Sequence, residues 1–362
     1  MSETNFVITG VGLLGDWGTG KENLMRFLSG NASHIPIEEV NFDAYIDTSL
    51  VRRADYISRC ALVAAKFALE DAGLFPVCKK KSSKFGIVMG TVNGGLHYSV
   101  EYHTSLVKGD PRLASPLLFS ESVANAAASH ICTILGIRGY STTLPGYCGV
   151  MQALQFGAEL IQQGAIDVCL IGGADVNHDF LTKAYKTCLP NPELIINNFG
   201  GSGFLVIESL TYSMQRKAKI YAKLEGVRVV TAQHDIAKRC GVSPLQELLY
   251  ENNIELKDHD CLISASYNEE DSLQRRDLFI KAFKDLQRTD IDCSDSFGYG
   301  FSAAEAFQLI LGVLGVFSPD YLSSFKEFTN SKRCVDRIFV MRTALAGANA
   351  CALFSRYSPS EN

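Results

Sequence analysis

Short apolar runs bounded by glycine alternate along this chain with longer segments whose apolar residues recur at helical spacing. This alternation is typical of an α/β protein whose strands are buried on both faces. The predicted strands are Phe6–Thr9, Phe85–Met89, Val168–Ile171, Phe204–Glu208, Asp260–Ser264 and Ala350–Phe354. The predicted helices are Lys21–Leu28, Ile57–Ala72, Glu121–Leu135, Met151–Gln163 and Ala303–Val316.

The length of 362 residues favours two domains or one duplicated unit. The basic, turn-like run Tyr212–Lys219 falls where a boundary between two halves is expected, and each half shows a similar alternation of strands and helices. We therefore predict an N-terminal half over residues 1–211 and a C-terminal half over residues 212–362.

Composition excludes several classes of protein. The net charge is −5 with interspersed charges, which argues against a nucleic-acid surface. No apolar run reaches the roughly 18 residues that cross a bilayer, and Met1–Val7 is unlike a signal peptide. Eleven cysteines without a CxxC pair indicate reduced, mostly buried thiols, hence a cytoplasmic chain. We expect no metal site, since no His and Cys spacing suggests one, and no cofactor.

Two glycine motifs near the N-terminus imitate nucleotide sites. Gly10–Gly15 reads GxGxxG after a strand, but the following residues continue as a loop where a dinucleotide-binding helix should begin. Gly15–Lys21 fits a phosphate-binding loop, but Glu22 stands where a magnesium-binding hydroxyl is required. We therefore interpret this region as a strand, a glycine-rich turn and a packed helix.

The most informative segment runs from Ser115 to Asp175. It contains Ser-Pro-Leu-Leu-Phe at 115–119, an alanine-rich stretch with His130, Gly-Tyr-Cys-Gly at 146–149 and Gly-Gly-Ala-Asp at 172–175. This order resembles the β-ketoacyl synthases of the thiolase-like superfamily, in which a strand delivers a nucleophilic cysteine to a helix N-terminus. There the helix dipole and backbone amides favour a thiolate and an oxyanion.

The resemblance covers most of the chain. Further matching segments are Ile8–Gly12, Ala61–Gly73, Gly86–Thr91, Gly94–Gly95, Gly200–Gly203, Glu208, Ala218–Ala222 and Gly347–Ala350. It implies an α/β fold of the thiolase-like kind, layered α-β-α-β-α and built from two duplicated halves. The chain is somewhat short for the family, with losses between Asp175 and Phe199 and in the C-terminal half.

Two ways of aligning the chain with the family disagree by one residue at the nucleophile position. Counting forward from His130 and Gly139 places Cys148 there, whereas counting back from the following helix places Tyr147 there. A one-residue deletion just after the cysteine reconciles the two. Cys148 is therefore the candidate nucleophile position, and a buried structural cysteine at a subunit interface is the alternative.

The family's two catalytic histidines have no counterparts here. In the family they bind the thioester carbonyl and stabilise the enolate that decarboxylation leaves. Ser266 stands near the position of the first, and Ser296 lies in the run where the second is expected. Because removing one such donor costs roughly 2–4 kcal/mol of transition-state stabilisation, losing both should disable condensation. His130 is expected to be a packed, hydrogen-bonded residue.

A ketosynthase fold without this machinery resembles the chain-length factor, the ketosynthase beta subunit of bacterial type II polyketide synthases. The resemblance implies a non-catalytic subunit in a heterodimer with an active ketosynthase, acting on a chain that an acyl carrier protein carries. The implied products are aromatic polyketides such as anthraquinones, or aryl polyenes, as in antibiotic or pigment biosynthesis. The glutamine usual at the nucleophile position of such subunits is absent.

Such a subunit closes a tunnel at the dimer interface and so limits product length. The resemblance assigns the tunnel lining to Leu117, Leu118, Phe119, Val123, Tyr147 and Leu345. Ordinary core packing is the alternative for each of these residues. The strand Tyr140–Leu144 is expected to pair across the two-fold axis of the dimer.

Two other functions stay open at this point. An active acyltransferase or condensing enzyme would use Cys148 as nucleophile with Ser266 or Ser296 in place of histidine, and acyl transfer needs no decarboxylation. A scaffold without a tunnel is the third possibility. Lys79–Lys81 and Lys84 form either a contact for an acidic acyl carrier protein or a solvated loop.

Overall fold

The computed structural model describes residues 5–31, 35–188, 200–231, 244–251, 253–257, 260–265, 289–298, 300–326, 328, 335–343 and 348–358. The strands are β1 Phe6–Gly15, β2 Gly18–Thr19, β3 Phe85–Thr91, β4 Ser141–Pro145, β5 Val168–Asp175, β6 Gly201–Ser209, β7 Ala222–Thr231, β8 Asp260–Ala265, β9 Thr289–Asp292, β10 Arg337–Thr343 and β11 Ala348–Ser355. The α-helices are α1 Gly20–Leu28, α2 Tyr56–Asp71, α3 Leu96–Lys108, α4 Pro116–Glu121, α5 Ala126–Leu135, α6 Gly149–Gln162, α7 Asp179–Cys188, α8 Leu210–Gln215, α9 Pro244–Glu251, α10 Ser294–Phe297 and α11 Phe301–Phe317.

The strands repeat one topology twice. Their order is β4-β3-β5-β6-β1 followed by β7-β11-β10-β8-β9, with the short β2 attached to β1. In each half three neighbouring strands are parallel and the remaining pairings are antiparallel. The halves join where β1 pairs with β7. This repeat confirms the predicted duplicated α/β fold, and the predicted boundary at residue 211 lies in α8, between β6 and β7.

Helices and strands alternate in five layers. Helices α2 and α5 pack on the outer face of the first set of strands, and α9 packs on the outer face of the second. The buried helices α6 and α11 lie between the two sets and share one apolar cluster with both. Because both faces of the strands are covered, alternate side chains of each strand enter different layers.

The glycine motif near the N-terminus lies within a strand, not in the turn that the sequence predicted. β1 continues to Gly15 and pairs along its length with β6. A Cβ on Gly12 would lie 2.1 Å from the carbonyl oxygen of Ala64, and one on Gly10 would lie 2.3 Å from that of Ala68. These glycines therefore let β1 approach α2 closely, which is a packing requirement rather than a phosphate site.

Two further local predictions were wrong. The helix predicted over Glu121–Leu135 is divided, since α4 begins at Pro116 behind the Ser115 cap and α5 begins only at Ala126. The run Tyr212–Lys219 is not entirely a turn, because the Ser209 hydroxyl accepts a hydrogen bond from the Tyr212 N–H and begins α8. In both places a serine cap outweighs the local composition.

The described cysteines are free thiols, and most of them lie in the core. The buried ones are Cys60, Cys148, Cys169, Cys261, Cys293 and Cys351. No helix in the described part of the chain has the length and apolar character needed to span a membrane.

Candidate active site

The candidate active site is the corner where β4 passes into α6. The strand ends at Pro145, and α6 begins from Cys148, whose backbone is left-handed with φ of +57°. Glycines let this corner lie against β3, since a Cβ on Gly90 would be 2.5 Å from the backbone carbon of Gly149. The corner therefore holds the Cys148 thiol at the N-terminus of a buried helix.

The Cys148 thiol is enclosed by the second half of the chain. Its side chain is only 2 % exposed, and its Sγ donates a weak hydrogen bond to the Ala348 carbonyl oxygen at 3.7 Å. Burial raises the pKa of the Cys148 thiol far above its ordinary value, the Glu305 carboxylate raises it further, and the Arg342 charge opposes both. Because the thiolate is the nucleophilic form, this environment favours an unreactive sulfur.

Glu305 lies on α11 with its carboxylate against the first turn of α6. It accepts hydrogen bonds from the backbone N–H of Met151 at 2.8 Å and of Val150 at 3.3 Å. Burial raises the pKa of Glu305 to about 6, although Arg342 and these two amides favour the anion. At neutral pH the carboxylate is therefore mainly ionised and occupies donors that a helix N-terminus otherwise offers to an anion.

Arg342 on β10 brings a buried positive charge to the same pocket. The guanidinium is buried and donates to the Gln308 side-chain oxygen at 3.2 Å and to the Phe301 carbonyl oxygen at 3.1 Å. Its charge favours the ionised form of Glu305. Since a buried charge needs an opposite charge or several hydrogen bonds, Arg342 and Glu305 stabilise each other in this pocket.

Asp175, at the end of β5, has the corresponding role for α11. Its carboxylate accepts hydrogen bonds at 2.9–3.1 Å from the Thr91 hydroxyl and from the N–H groups of Val92, Asn93 and Ser302. Ser302 belongs to the first turn of α11, whereas Asp175 belongs to the first half. Burial raises the pKa of Asp175, and the four hydrogen bonds oppose that shift. Each half thus supplies the acid that caps the buried helix of the other.

Aromatic rings from both halves meet at Tyr147, the residue before Cys148. The Phe301 ring stacks on Tyr185 of α7 at 5.9 Å between centroids and lies 6.4 Å from Tyr147. Burial raises the pKa of Tyr185, and its hydrogen bond to Tyr147 adds to that effect. Tyr147, predicted as a tunnel residue, therefore belongs to an aromatic group that joins the two halves.

The other predicted tunnel residues lie on α4 and just after it. Leu117 and Leu118 are half-buried, whereas Phe119 and Val123 are 56 % and 39 % exposed. The Phe119 ring packs on Tyr102 of α3, with 5.6 Å between centroids. Their tunnel role stays a prediction, and Leu345 lies outside the described residues.

The positions where histidine was expected are only partly described. Ser266 lies outside the described residues, while Ser296 is half-buried in α10 and its N–H donates to the Cys293 carbonyl oxygen at 3.1 Å. His130 is half-buried, with its Nε2 at 2.9 Å from a Glu121 carboxylate oxygen. That contact is the kind of structural hydrogen bond that the sequence predicted for His130.

A separate cavity of about 470 Å³ lies near the ends of β1 and β5. Its lining includes Asp16, Tyr56, His97, His178 and Asp179 but none of the predicted site residues. The described part of the chain contains no group of three or more His, Cys, Asp or Glu that could hold a metal ion.

Sequence reasoning missed Asp175, Glu305 and Arg342 as residues of this corner. A signal existed for Glu305, because α11 is otherwise an almost entirely apolar helix with one acidic residue. A carboxylate in a fully buried helix requires partners, but the sequence alone does not show that they are the first amides of α6.

Part of the chain matches a known protein family. Residues 22–184 match the family described as "Beta-ketoacyl synthase, N-terminal domain". Among curated proteins, the chain is 25 % identical over 261 residues to 3-oxoacyl-[acyl-carrier-protein] synthase 2 of Vibrio cholerae serotype O1, covering 62 % of this chain and 63 % of that one. The corresponding Staphylococcus aureus protein is 27 % identical over 256 residues, covering 61 % and 63 %. The match therefore spans less than two thirds of these relatives.

Solved structures share the fold over nearly the whole chain. "The ishigamide ketosynthase/chain length factor" superposes with a TM-score of 0.80 at 20 % identity, covering 98 % of this chain and 100 % of that chain. A β-ketoacyl synthase from Burkholderia phymatum STM815 gives 0.79 at 15 % identity, with 98 % and 100 % covered. Residues 22–184 are thus similar to the N-terminal domain of β-ketoacyl synthases, and the solved structures show that the chain has the thiolase-like fold.

Proposed function

We propose that this chain is a chain-length factor, a ketosynthase-like subunit that has lost catalysis and shapes the tunnel of an active partner. The observation that carries the proposal is the state of Cys148. This thiol stands where the resemblance puts the family's nucleophile, yet it is 2 % exposed, and the Glu305 carboxylate binds the first amides of the helix that Cys148 begins. Such a sulfur is a poor nucleophile, so the conserved fold needs a role other than condensation.

An uncovered face of the first half supports a partner subunit. β4 is the end strand of the order, and among the described strands it pairs only with β3. Elsewhere in the first half, apolar side chains of α3, of the segment after it and of α4 are exposed, at 84 % for Val107, 82 % for Leu113 and 56 % for Phe119. An open edge strand and exposed apolar side chains are each typical of an interaction surface, and the partner we propose is an active ketosynthase.

The exposed part of α4 fits a tunnel that is closed only in the complex. Phe119 and Val123 are 56 % and 39 % exposed in the single chain, so a partner surface placed over them would enclose their side chains. Bulky side chains there would then occupy the volume that a further chain unit needs. One similar solved structure is titled as a type II polyketide synthase acyl carrier protein in complex with its ketosynthase bound to the hexaketide, and we propose that an acyl carrier protein delivers the chain here too.

The test is product length in a reconstituted complex. The chain is co-expressed with a ketosynthase that has an intact cysteine and two histidines, and Phe119→Ala and Leu118→Ala are each expected to lengthen the product. Tyr250→Ala is the matched control, because Tyr250 is 88 % exposed on α9 in the other half. An unchanged product distribution from an active complex, or a chain that never binds a ketosynthase, contradicts the proposal.

An acyltransferase is the second candidate function. The curated relatives of this chain are named as 3-oxoacyl-[acyl-carrier-protein] synthases, and Cys148 lies at a helix N-terminus. Transfer of an acyl group from a thioester needs a nucleophile but no decarboxylation. Incubation with an acyl carrier protein thioester followed by intact-mass measurement distinguishes the two. An acyl adduct that Cys148→Ala abolishes favours the acyltransferase, whereas no adduct favours the chain-length factor.

A further inference from the structure

The carboxylate of Glu305, a residue of α11, binds the first turn of α6. In a helix N-terminus the free N–H groups and the helix dipole favour a negative charge. The N–H groups of Val150 and Met151 here donate to Glu305, whose side chain reaches them from α11 of the other half. The sulfur of Cys148 lies at the start of the same helix, so an anionic sulfur would compete with the carboxylate for one electrostatic site.

We propose that Glu305 is a positioning residue that keeps Cys148 a neutral thiol by occupying the first amides of α6. The inference deepens the proposed function and rests on it, since a silent cysteine matters only in a subunit that has given up catalysis. Glu305 touches no substrate in this role. It acts on the sulfur through the helix that both groups share.

The charges around the corner support this assignment. Glu305 disfavours a Cys148 thiolate, and Arg342 is the opposing charge on that sulfur. Arg342 and Asp175 are the charged groups that act on Glu305, the first favouring and the second disfavouring its ionised form. Neutralising Glu305 therefore removes the repulsion and leaves the Arg342 charge to favour a thiolate.

Glu305→Gln tests the proposal, because glutamine keeps the size of the side chain and one acceptor oxygen. Ionisation of Cys148 is followed in the full folded chain by ultraviolet thiolate absorbance, as the difference from Cys148→Ala in the same background. This measurement needs no reagent to reach the buried sulfur. We expect the midpoint to fall by at least one pH unit, which is about a tenfold rise in the thiolate fraction at a given pH.

Two variants separate charge from packing. Asp175→Asn removes the equivalent acid from α11 and is expected to leave the Cys148 midpoint unchanged. Glu305→Asp keeps the charge but shortens the side chain, so its midpoint should stay close to that of the unmodified chain. A midpoint in Glu305→Gln that does not fall, or equal shifts in the glutamine and aspartate variants, overturns the proposal.

Failure of this inference can be distinguished from failure of the proposed function. A complex whose product lengthens with Phe119→Ala, together with an unmoved Cys148 midpoint, would retain the chain-length factor and reject the role of Glu305. Formation of an acyl adduct on Cys148 in the unmodified chain would reject both.

Discussion

The two corners that begin the buried helices α6 and α11 share their construction. Each helix follows a residue with a positive φ, +57° at Cys148 and +29° at Gly300. The first turn of each is capped by a buried acid from the opposite half, Glu305 for α6 and Asp175 for α11. The caps belong to the duplicated framework, so they must be kept for the two halves to pack.

The corners differ in the segment that joins the strand to the buried helix. The first passes from β4 to α6 through a tight turn that ends in a buried thiol, whereas α10 lies between β9 and α11 in the second. Ser296 occupies that insertion, where the resemblance called for a histidine. Capping acids are needed for folding and a catalytic group only for chemistry, so a chain with this fold can keep its architecture whatever residue stands at the second corner.

The largest expected effect comes from removing a cap. Asp175→Ala leaves three backbone N–H groups and one hydroxyl without their acceptor in the core, so the free energy of unfolding should fall by about 3–5 kcal/mol. Glu305→Ala removes two such bonds and a negative charge that acts on the buried Arg342 guanidinium, and about 2–4 kcal/mol is expected. Urea denaturation followed by circular dichroism measures both.

The neighbouring Asp179→Ala is the control for these variants. Asp179 is exposed on α7, and its loss should change the free energy of unfolding by no more than about 0.5 kcal/mol. If Asp175→Ala were as mild as this control, the two corners would not depend on acids from opposite halves.

The next largest effect is the pH dependence of stability that Glu305 causes. The pKa of Glu305 rises from 4.5 to about 6 on folding, so the folded chain binds more protons than the unfolded chain between these values. The stability that this group contributes is therefore complete below pH 4.5 and is lost as the pH rises through about 6. Relative to Glu305→Gln, the unmodified chain should lose roughly 2 kcal/mol across this window. A constant difference between the two proteins would contradict the buried, ionising state of Glu305.

The sequence predicted the strands and the order of motifs well because burial and glycine spacing are local signals. The predicted β1 was too short, because glycines in a sequence favour a turn. In the fold, Gly10 and Gly12 are instead required by the close packing of β1 on α2. Of the residues at the candidate site, the sequence predicted only Cys148 and Tyr147, which are adjacent in the chain. Glu305 and Arg342 come from elements 155 and more residues away, and no local pattern links a helix to the acid that caps it.

The smallest expected effect is that of Tyr185→Phe, in the ring that joins the two corners. Tyr185 stacks on Phe301 of the second corner and hydrogen-bonds Tyr147 of the first. Tyr185→Phe keeps the ring and removes the hydroxyl, so about 1 kcal/mol of stability should be lost, while Tyr185→Ala should cost about 3 kcal/mol. Tyr250→Phe, on an 88 % exposed side chain, is the control. Equal losses in the phenylalanine and alanine variants would mean that the hydroxyl, and not ring packing, joins the corners, because only the hydroxyl is missing from both.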